Sequence, residues 1–214
     1  MPDESAADLD LFLHILQTVE KLNITYVVIG GFAANLYGIT RTTYDIDIVV
    51  DLDEPHIQSL ADAYPPPRYY ADPYQMRYAM EQGSLFNIID ADQGQKADLF
   101  PVTMDPRYWP ILARRIRQSV KLPGMNSFDI WTARPDDVIV GKLMALAELD
   151  TKRHESDIYE LLVLHYAGIL VEQDGPIDET YITEHAAALG NKVAILWEKL
   201  KTAALAEAER IKSS

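Results

Sequence analysis

Two aspartates at alternate positions, Asp45 and Asp47, stand in the apolar run of Ile46, Ile48, Val49 and Val50. In an extended strand residues i and i+2 share a face. The two carboxylates therefore project together, while Ile46 and Ile48 enter a core. Adjacent carboxylates repel, which a fold accepts at a wet surface or where a divalent cation lies between them. A third aspartate, Asp98, sits in a later strand-like run, on the face opposite its neighbour Leu99. If that strand pairs beside the strand of Asp45 and Asp47, three carboxylates converge into a hard-oxygen set suited to Mg2+. Two such ions can activate an attacking hydroxyl and stabilise a leaving pyrophosphate. The third carboxylate can bridge to the second ion or take the acceptor proton. Upstream, Gly30-Gly31 closes the run from Ile24 to Ile29. A glycine pair lets the backbone approach a phosphate, with free N–H groups at the start of a helix. Taken alone, Asp98 is equally well explained as a surface acid near a turn; together with the glycine pair and the Asp45–Asp47 pair it points to a metal–nucleotide site.

The elements that must position these residues follow from periodicity. Asp8 to Leu22 reads as an amphipathic helix, with Leu9, Phe12, Leu13, Leu16 and Val19 on one face and Asn23 ending it. Ile24 to Gly30 reads as a buried strand, Gly31 to Tyr37 as a short helix and Tyr44 to Asp51 as a second strand. Pro55 suits the first position of a helix to about Tyr64, capped by Asp53 or Glu54. Pro65-Pro66-Pro67 is a break, and Pro73 to Gln82 a helix stopped by Gly83. Ser84 to Asp90 and Lys96 to Thr103 read as two strands joined by the turn Asp92-Gln93-Gly94-Gln95, hence antiparallel, with Asp98 on the second. Asp105 to Arg117 reads as a helix, and Val120 to Trp131 as a small strand–turn–strand element around Pro123-Gly124. Pro135 opens a helix through Leu149, followed by helices over 155–167, 178–189 and 192–211. The pattern predicts an α/β (α+β) class, a mixed sheet flanked by helices. The shift near Arg134 divides residues 1–134, the catalytic domain, from a helical C-terminal region over 135–214.

With 214 residues and 48% hydrophobic residues the chain can bury a full core. The absence of cysteine excludes disulfides and thiolate metal sites and suits the cytoplasm. Met1-Pro2-Asp3-Glu4-Ser5 is acidic and lacks the apolar stretch of a signal peptide, and no apolar run approaches the ~20 residues that span a membrane. A formal charge of −14 opposes a large nucleic-acid partner, whose binding needs a basic footprint. A nucleotide carried in with its metal is unaffected.

The ordered set resembles the nucleotidyltransferase superfamily of the DNA polymerase beta type, and most nearly its minimal and AbiEii-like bacterial members. The residues that carry the resemblance are Gly30-Gly31, thirteen intervening residues that include Gly38, Arg41 and Thr43, then Asp45-Ile46-Asp47. It continues through Asn87-Ile88-Ile89-Asp90, Ala97-Asp98-Leu99-Phe100 and Pro135-Asp136-Asp137 up to Lys142-Leu143, and ends near Asp157 to Leu161. The resemblance implies a nucleotidyltransferase-type sheet and transfer of a nucleoside monophosphate from a nucleoside triphosphate to an acceptor hydroxyl, with loss of pyrophosphate. It implies Mg2+ or Mn2+ held by Asp45, Asp47 and Asp98, with the triphosphate held by Gly30 and Gly31. Toxin–antitoxin and antibiotic-resistance settings come with it. The acidic charge turns the expected acceptor from a transfer RNA end toward a protein or a small molecule, for instance a cationic aminoglycoside. The alternative is a non-catalytic interaction protein on the same fold, an antitoxin-like partner.

Several other residues have two readings. Arg41, four residues before Asp45, contacts phosphate or base, as the family pattern favours, or pairs with a surface acid. Lys142, in an apolar helix, snorkels to the surface or points to the triphosphate, again as the resemblance favours. Asp157 and Glu160, three apart, either orient Lys142 or Arg153 or form a solvated acidic face. Arg107, Arg114, Arg115, Arg117 and Lys121 form a local basic excess, read as a solvated face ahead of an RNA or phosphate guide. The five histidines lack metal-ligand spacing and are read as structural, and Trp109, Trp131 and Trp197 as core.

Overall fold

A computed structural model describes residues 10–40, 43, 45–120, 127–148, 152–170 and 176–213. These residues gather into two compact units, one within Met1–Phe32 and Thr42–Ala133, the other within Ala33–Arg41 and Arg134–Ser214. The start of the first helix at Asp8, the strand entry at Tyr44, the turn at Pro123-Gly124 and the helix end at Leu149 lie outside the described residues.

The first unit carries a mixed sheet of seven strands: β1 (Thr25–Ile29), β2 (Asp45–Asp51), β3 (Tyr69–Tyr70), β4 (Phe86–Asp90), β5 (Gln95–Pro101), β6 (Ile116–Val120) and β7 (Phe128–Thr132). Their order is β3-β4-β5-β2-β1-β7-β6. The pairs β2–β5 and β1–β7 are parallel and the rest antiparallel. The α/β expectation is met, and so is the antiparallel β4–β5 hairpin. Burial along β2 changes period halfway. Asp45 and Asp47 are half-buried and alternate with fully buried Ile46 and Ile48, whereas Val49 and Val50 are buried in succession. One end of the strand is thus covered on both faces. At the other end, one face is left open beneath the two aspartates. Each buried Ile or Val contributes roughly 1.5–3 kcal/mol by leaving water, which keeps the register from slipping and fixes the face on which the aspartates stand.

Helix α1 (Asp10–Lys21) buries Phe12, Ile15, Leu16 and Val19, and its Leu11 N–H donates to Gln95 Oε1 at 3.1 Å, tying it to β5. It ends at Asn23, whose φ of 56° makes the left-handed turn expected of it. Helix α2 (Gly30–Leu36) follows β1 directly. Helix α3 (Glu54–Ala63) is capped by Asp53, with Glu54 first and Pro55 next. His56 completes the cap: its N–H donates to Asp53 Oδ1 at 2.9 Å, and its Nδ1 accepts from Asp53 N–H. Helix α4 (Pro73–Gln82) stops at Gly83, as predicted.

Residues 105–117 differ from the expected single helix. A 3-10 turn (Val102–Met104) precedes α5 (Tyr108–Arg114), and Arg117 belongs to β6. Buried Ile116, Gln118 and Val120 alternate there with exposed Arg117 and Ser119. A polar Gln118 on the buried face hid that period of two. Asp105 does not start the helix; it accepts from Arg107 N–H at 2.8 Å in a local turn. Trp109 is 49% exposed, not core. β3 was not anticipated, since two residues carry no periodicity.

The second unit contains α6 (Pro135–Glu148), α7 (Lys152–Ala167), α8 (Glu179–Ala188) and α9 (Asn191–Lys212) packed on one another. Trp197 is fully buried there, and its Nε1–H donates to Thr183 Oγ1 at 2.9 Å. Among the described residues no helix is long and apolar enough to cross a membrane.

The β4–β5 hairpin that presents Asp98 is secured by Asp90, only 1% exposed. Its carboxylate accepts from Arg68 Nε and Nη2 at 3.0 and 2.7 Å and from the N–H groups of Asp92 and Gln93 at 3.0 and 3.2 Å. Burial works against the charged carboxyl, but Arg68 and the turn's N–H groups outweigh it and hold its pKa below the ordinary carboxylate range. A depressed folded-state value means stabilisation that is complete above the unfolded value and fades as acid titrates the folded group. Asp90→Asn is therefore expected to destabilise the protein by about 1–2 kcal/mol at neutral pH. Its deficit against the native protein should shrink below about pH 4. Urea unfolding of both proteins across that range checks this; a deficit independent of pH would contradict it.

Candidate active site

The parallel register of β2 and β5 sets Asp47 directly beside Asp98 and Asp45 beside Lys96. Across β5, Asn87 on β4 lies opposite Asp98. Side chains directly across neighbouring strands share a face, as do alternate residues along one strand. Asp45, Asp47, Lys96, Asp98 and Asn87 therefore form one patch on a single face of the sheet. The strand pairing on which the convergence of the three aspartates was conditional is present.

Their side chains are committed in different ways. Asp98 is nearly buried, and Lys96 Nζ donates to its Oδ2 at 2.7 Å while Asn87 Nδ2 donates to its Oδ1. The Lys96 ammonium is held charged, its pKa raised first by the bond to Asp98, against the cost of burial, and then by the negative charges of Asp98, Asp45 and Asp47. All three carboxylates thus act on one ammonium. Thr43 lies at the entry to β2, and its hydroxyl faces Asp45 O at 2.9 Å and Asp45 Oδ1 at 3.3 Å.

Asp47 leans on Gly30. A Cβ built on Gly30 would stand 2.0 Å from Asp47 Oδ2 and 2.8 Å from its Cγ, and Gly30 has φ +67°. Only glycine leaves that space and adopts that backbone at no steric cost. The glycine pair was read as a place where backbone meets phosphate; within the protein, its first member makes room for a carboxylate.

Among the described residues no three His, Asp or Glu side chains are gathered around one point as they stand. Asp98 is drawn instead into its bonds with Lys96 and Asn87. The donor set still fits a divalent cation. It consists of hard carboxylate oxygens on adjacent strands, Gly30 leaves the space that Asp47 fills, and a cationic group already stands among the acids.

The remaining candidates separate. Arg41 lies outside the described residues. Gly31 is buried in the first turn of α2. Lys142 belongs to the second unit, where it is buried and paired with buried Asp157. Glu160 points elsewhere; it is exposed and accepts from Ser156 Oγ at 3.2 Å. In the basic set, Arg107 pairs with Asp105 and Arg117 with Glu20, and Arg115 lies over the Trp131 ring at 4.6 Å. Lys121 is outside the described residues.

Lys96 and Asn87 were not singled out in the sequence. The Lys-x-Asp spacing of Lys96 and Asp98 does put both on one strand face, a usable signal. Asn87 is visible only once the hairpin register is known.

No curated protein matches the chain in sequence. Among solved structures it resembles JHP933 from Helicobacter pylori, at 12% identity over 100% of this chain and 97% of that one, with a TM-score of 0.50. It also resembles an antigenic nucleotidyltransferase-like protein from Paracoccidioides brasiliensis, at 17% identity over 92% and 94% of the two chains, with a TM-score of 0.47. The antibiotic-resistance factor ANT(2'')-Ia aligns at 12% identity over 98% and 97%, with a TM-score of 0.44. At such identities a likeness is one of fold. The superfamily suggested by the glycine and aspartate motifs is met in the sequence itself: residues 7–204 match the family described as nucleotidyltransferase of unknown function (DUF6036), and the chain belongs to that family.

Proposed function

We propose that this protein is a metal-dependent nucleotidyltransferase that moves a nucleoside monophosphate from a nucleoside triphosphate to an acceptor hydroxyl. The register that sets Asp47 beside Asp98, with Asp45 two residues along, supports this reading most directly. Mg2+ or Mn2+ would supply Lewis acidity at the phosphoryl oxygens and offset the charge that builds on the leaving group. Asp45 and Asp47 would hold it, and Asp98 would complete the set. The acceptor oxygen bonds to the α-phosphorus, the bond from that phosphorus to the bridging oxygen breaks, and pyrophosphate leaves with the electron pair. The hydroxyl proton passes to the Asp98 carboxylate. Gly30 and Gly31 are proposed to hold the triphosphate along their backbone, with Arg41 as a cationic contact, arginine suiting bidentate phosphate geometry.

A net charge of −14 directs the acceptor class. It disfavours transfer RNA and favours a protein or a small molecule, a cationic one above all. The setting proposed for such a transfer is a toxin–antitoxin or antibiotic-resistance one, and the cysteine-free composition suits the cytoplasm. The bonds that hold Asp98 to Lys96 and Asn87 also suit a second reading, a non-catalytic partner on the same fold.

Incubation with each labelled nucleoside triphosphate and Mg2+ separates the two. Pyrophosphate release from at least one triphosphate, abolished by chelation, is expected. Neither release nor nucleotide binding with any of the four would favour the non-catalytic partner.

A further inference from the structure

We propose that Lys96 is the built-in counter-ion of the carboxylate patch: its ammonium holds Asp98 in the metal-free protein and is displaced when a divalent cation binds. The inference rests on the metal-dependent reading above and adds a positioning residue to it.

Lys96 precedes Asp98 by two residues on β5 and is the direct neighbour of Asp45 across the β2–β5 pair. It therefore shares the patch with all three aspartates. Its Nζ lies 2.7 Å from Asp98 Oδ2, and the other oxygen of Asp98 is taken by Asn87. Each oxygen of Asp98 keeps a second lone pair, so these bonds alone do not bar an ion, but an ammonium at Oδ2 repels one. The bond to Lys96 is the one that a cation competes for. It is charge-assisted, and it places a positive charge in the space that the metal reading assigns to the ion.

Exchange is physically open. The Lys96 side chain is 43% exposed. Ion pairs at partly exposed lysines are weak, and the flexible four-carbon stem lets the ammonium leave without moving the strand. A divalent ion carries twice the charge and binds several oxygens at once. Three carboxylates on one face would otherwise repel one another in the free protein. The lysine relieves that repulsion until the ion arrives.

Mn2+ binding to the full chain, followed by electron paramagnetic resonance of the free ion, tests this. Lys96→Met keeps the length of the stem and removes the charge. It should bind Mn2+ about two- to fivefold more tightly than the native protein, the scale of a lost half-exposed ion pair. Lys96→Arg, which restores a cation, should return toward native affinity. In the absence of metal Lys96→Met should melt below the native protein, and Mn2+ should raise its Tm by more than it raises the native Tm. Lys96→Gln repeats the measurement should the methionine variant fold poorly. Equal or weaker Mn2+ binding by folded Lys96→Met overturns the displacement while leaving the metal site standing. No Mn2+ binding by either folded protein overturns the metal-dependent reading and the displacement with it.

Discussion

Asp47→Asn is expected to leave the fold intact and to lower pyrophosphate release by about a hundred- to a thousandfold, the scale seen when a group that stabilises transition-state charge is removed. Asparagine matches aspartate in shape, so Ile46 and Ile48 keep their places beneath it. Its charge is gone, which removes repulsion from Asp45 and Asp98 and attraction to Lys96 together, so stability should change by less than about 1 kcal/mol. A large loss of activity with little change in stability separates a lost ligand from a damaged fold. Asp51 supplies the control. It lies on the same strand, at the same alternation as Asp45 and Asp47, but four residues further along, opposite Thr25. That is roughly 13 Å from Asp47 at ~3.3 Å per residue, too far to share an ion. Asp51→Asn should keep the native rate. A rate for Asp47→Asn within tenfold of native, with both variants folded, would remove Asp47 from the chemistry.

What could be read in the sequence was whatever a short period encodes. Asp45 and Asp47 flanked by Ile46 and Ile48 announce a strand with one wet face, and the two-residue spacing gives the orientation of both carboxylates without any tertiary information. Pro73 and Gly83 bound a helix because each forbids or favours a backbone angle by itself. The Gly94 turn disclosed the hairpin for the same reason: its φ of +65° is one that glycine adopts freely. The neighbourhood of Asp98 was of another kind. That β5 lies parallel to β2, in the register that sets Asp98 beside Asp47, follows from how β1, β2 and β5 share one core, and no local pattern states it. Lys96 is legible as a strand residue on the face of Asp98 but not as the neighbour of Asp45, which depends on that register. The misread stretch near Arg117 shows the converse. Three nearby arginines and a buried glutamine masked an alternation that packing enforces.

Gly30→Ala is expected to be more damaging than Gly83→Ala or Gly94→Ala in the same unit. Two costs combine. A residue with a side chain at φ +67° loses about 1 kcal/mol to backbone strain. The added carbon would also overlap the Asp47 carboxylate, 2.0 Å from Oδ2, and a clash of that depth forces a side chain or the strand to move. Overpacking of this kind brings the total to roughly 2–4 kcal/mol. Gly94 isolates the first cost. It has nearly the same φ, +65°, with nothing within 4 Å of its added carbon, so Gly94→Ala should lose only about 1 kcal/mol. The second cost has its own signature. Asp47→Ala removes the atoms that clash, so Gly30→Ala should cost about 1–2 kcal/mol less in that background than in the native one, a coupling measurable by a double-mutant cycle in urea. Activity adds a third reading. Because the methyl group must push Asp47 out of its place, Gly30→Ala should lose pyrophosphate release even at temperatures where it is fully folded, whereas Gly94→Ala should retain it. Additive costs for Gly30→Ala and Asp47→Ala would mean that Gly30 serves the backbone turn alone, and that the place of Asp47 depends on other neighbours.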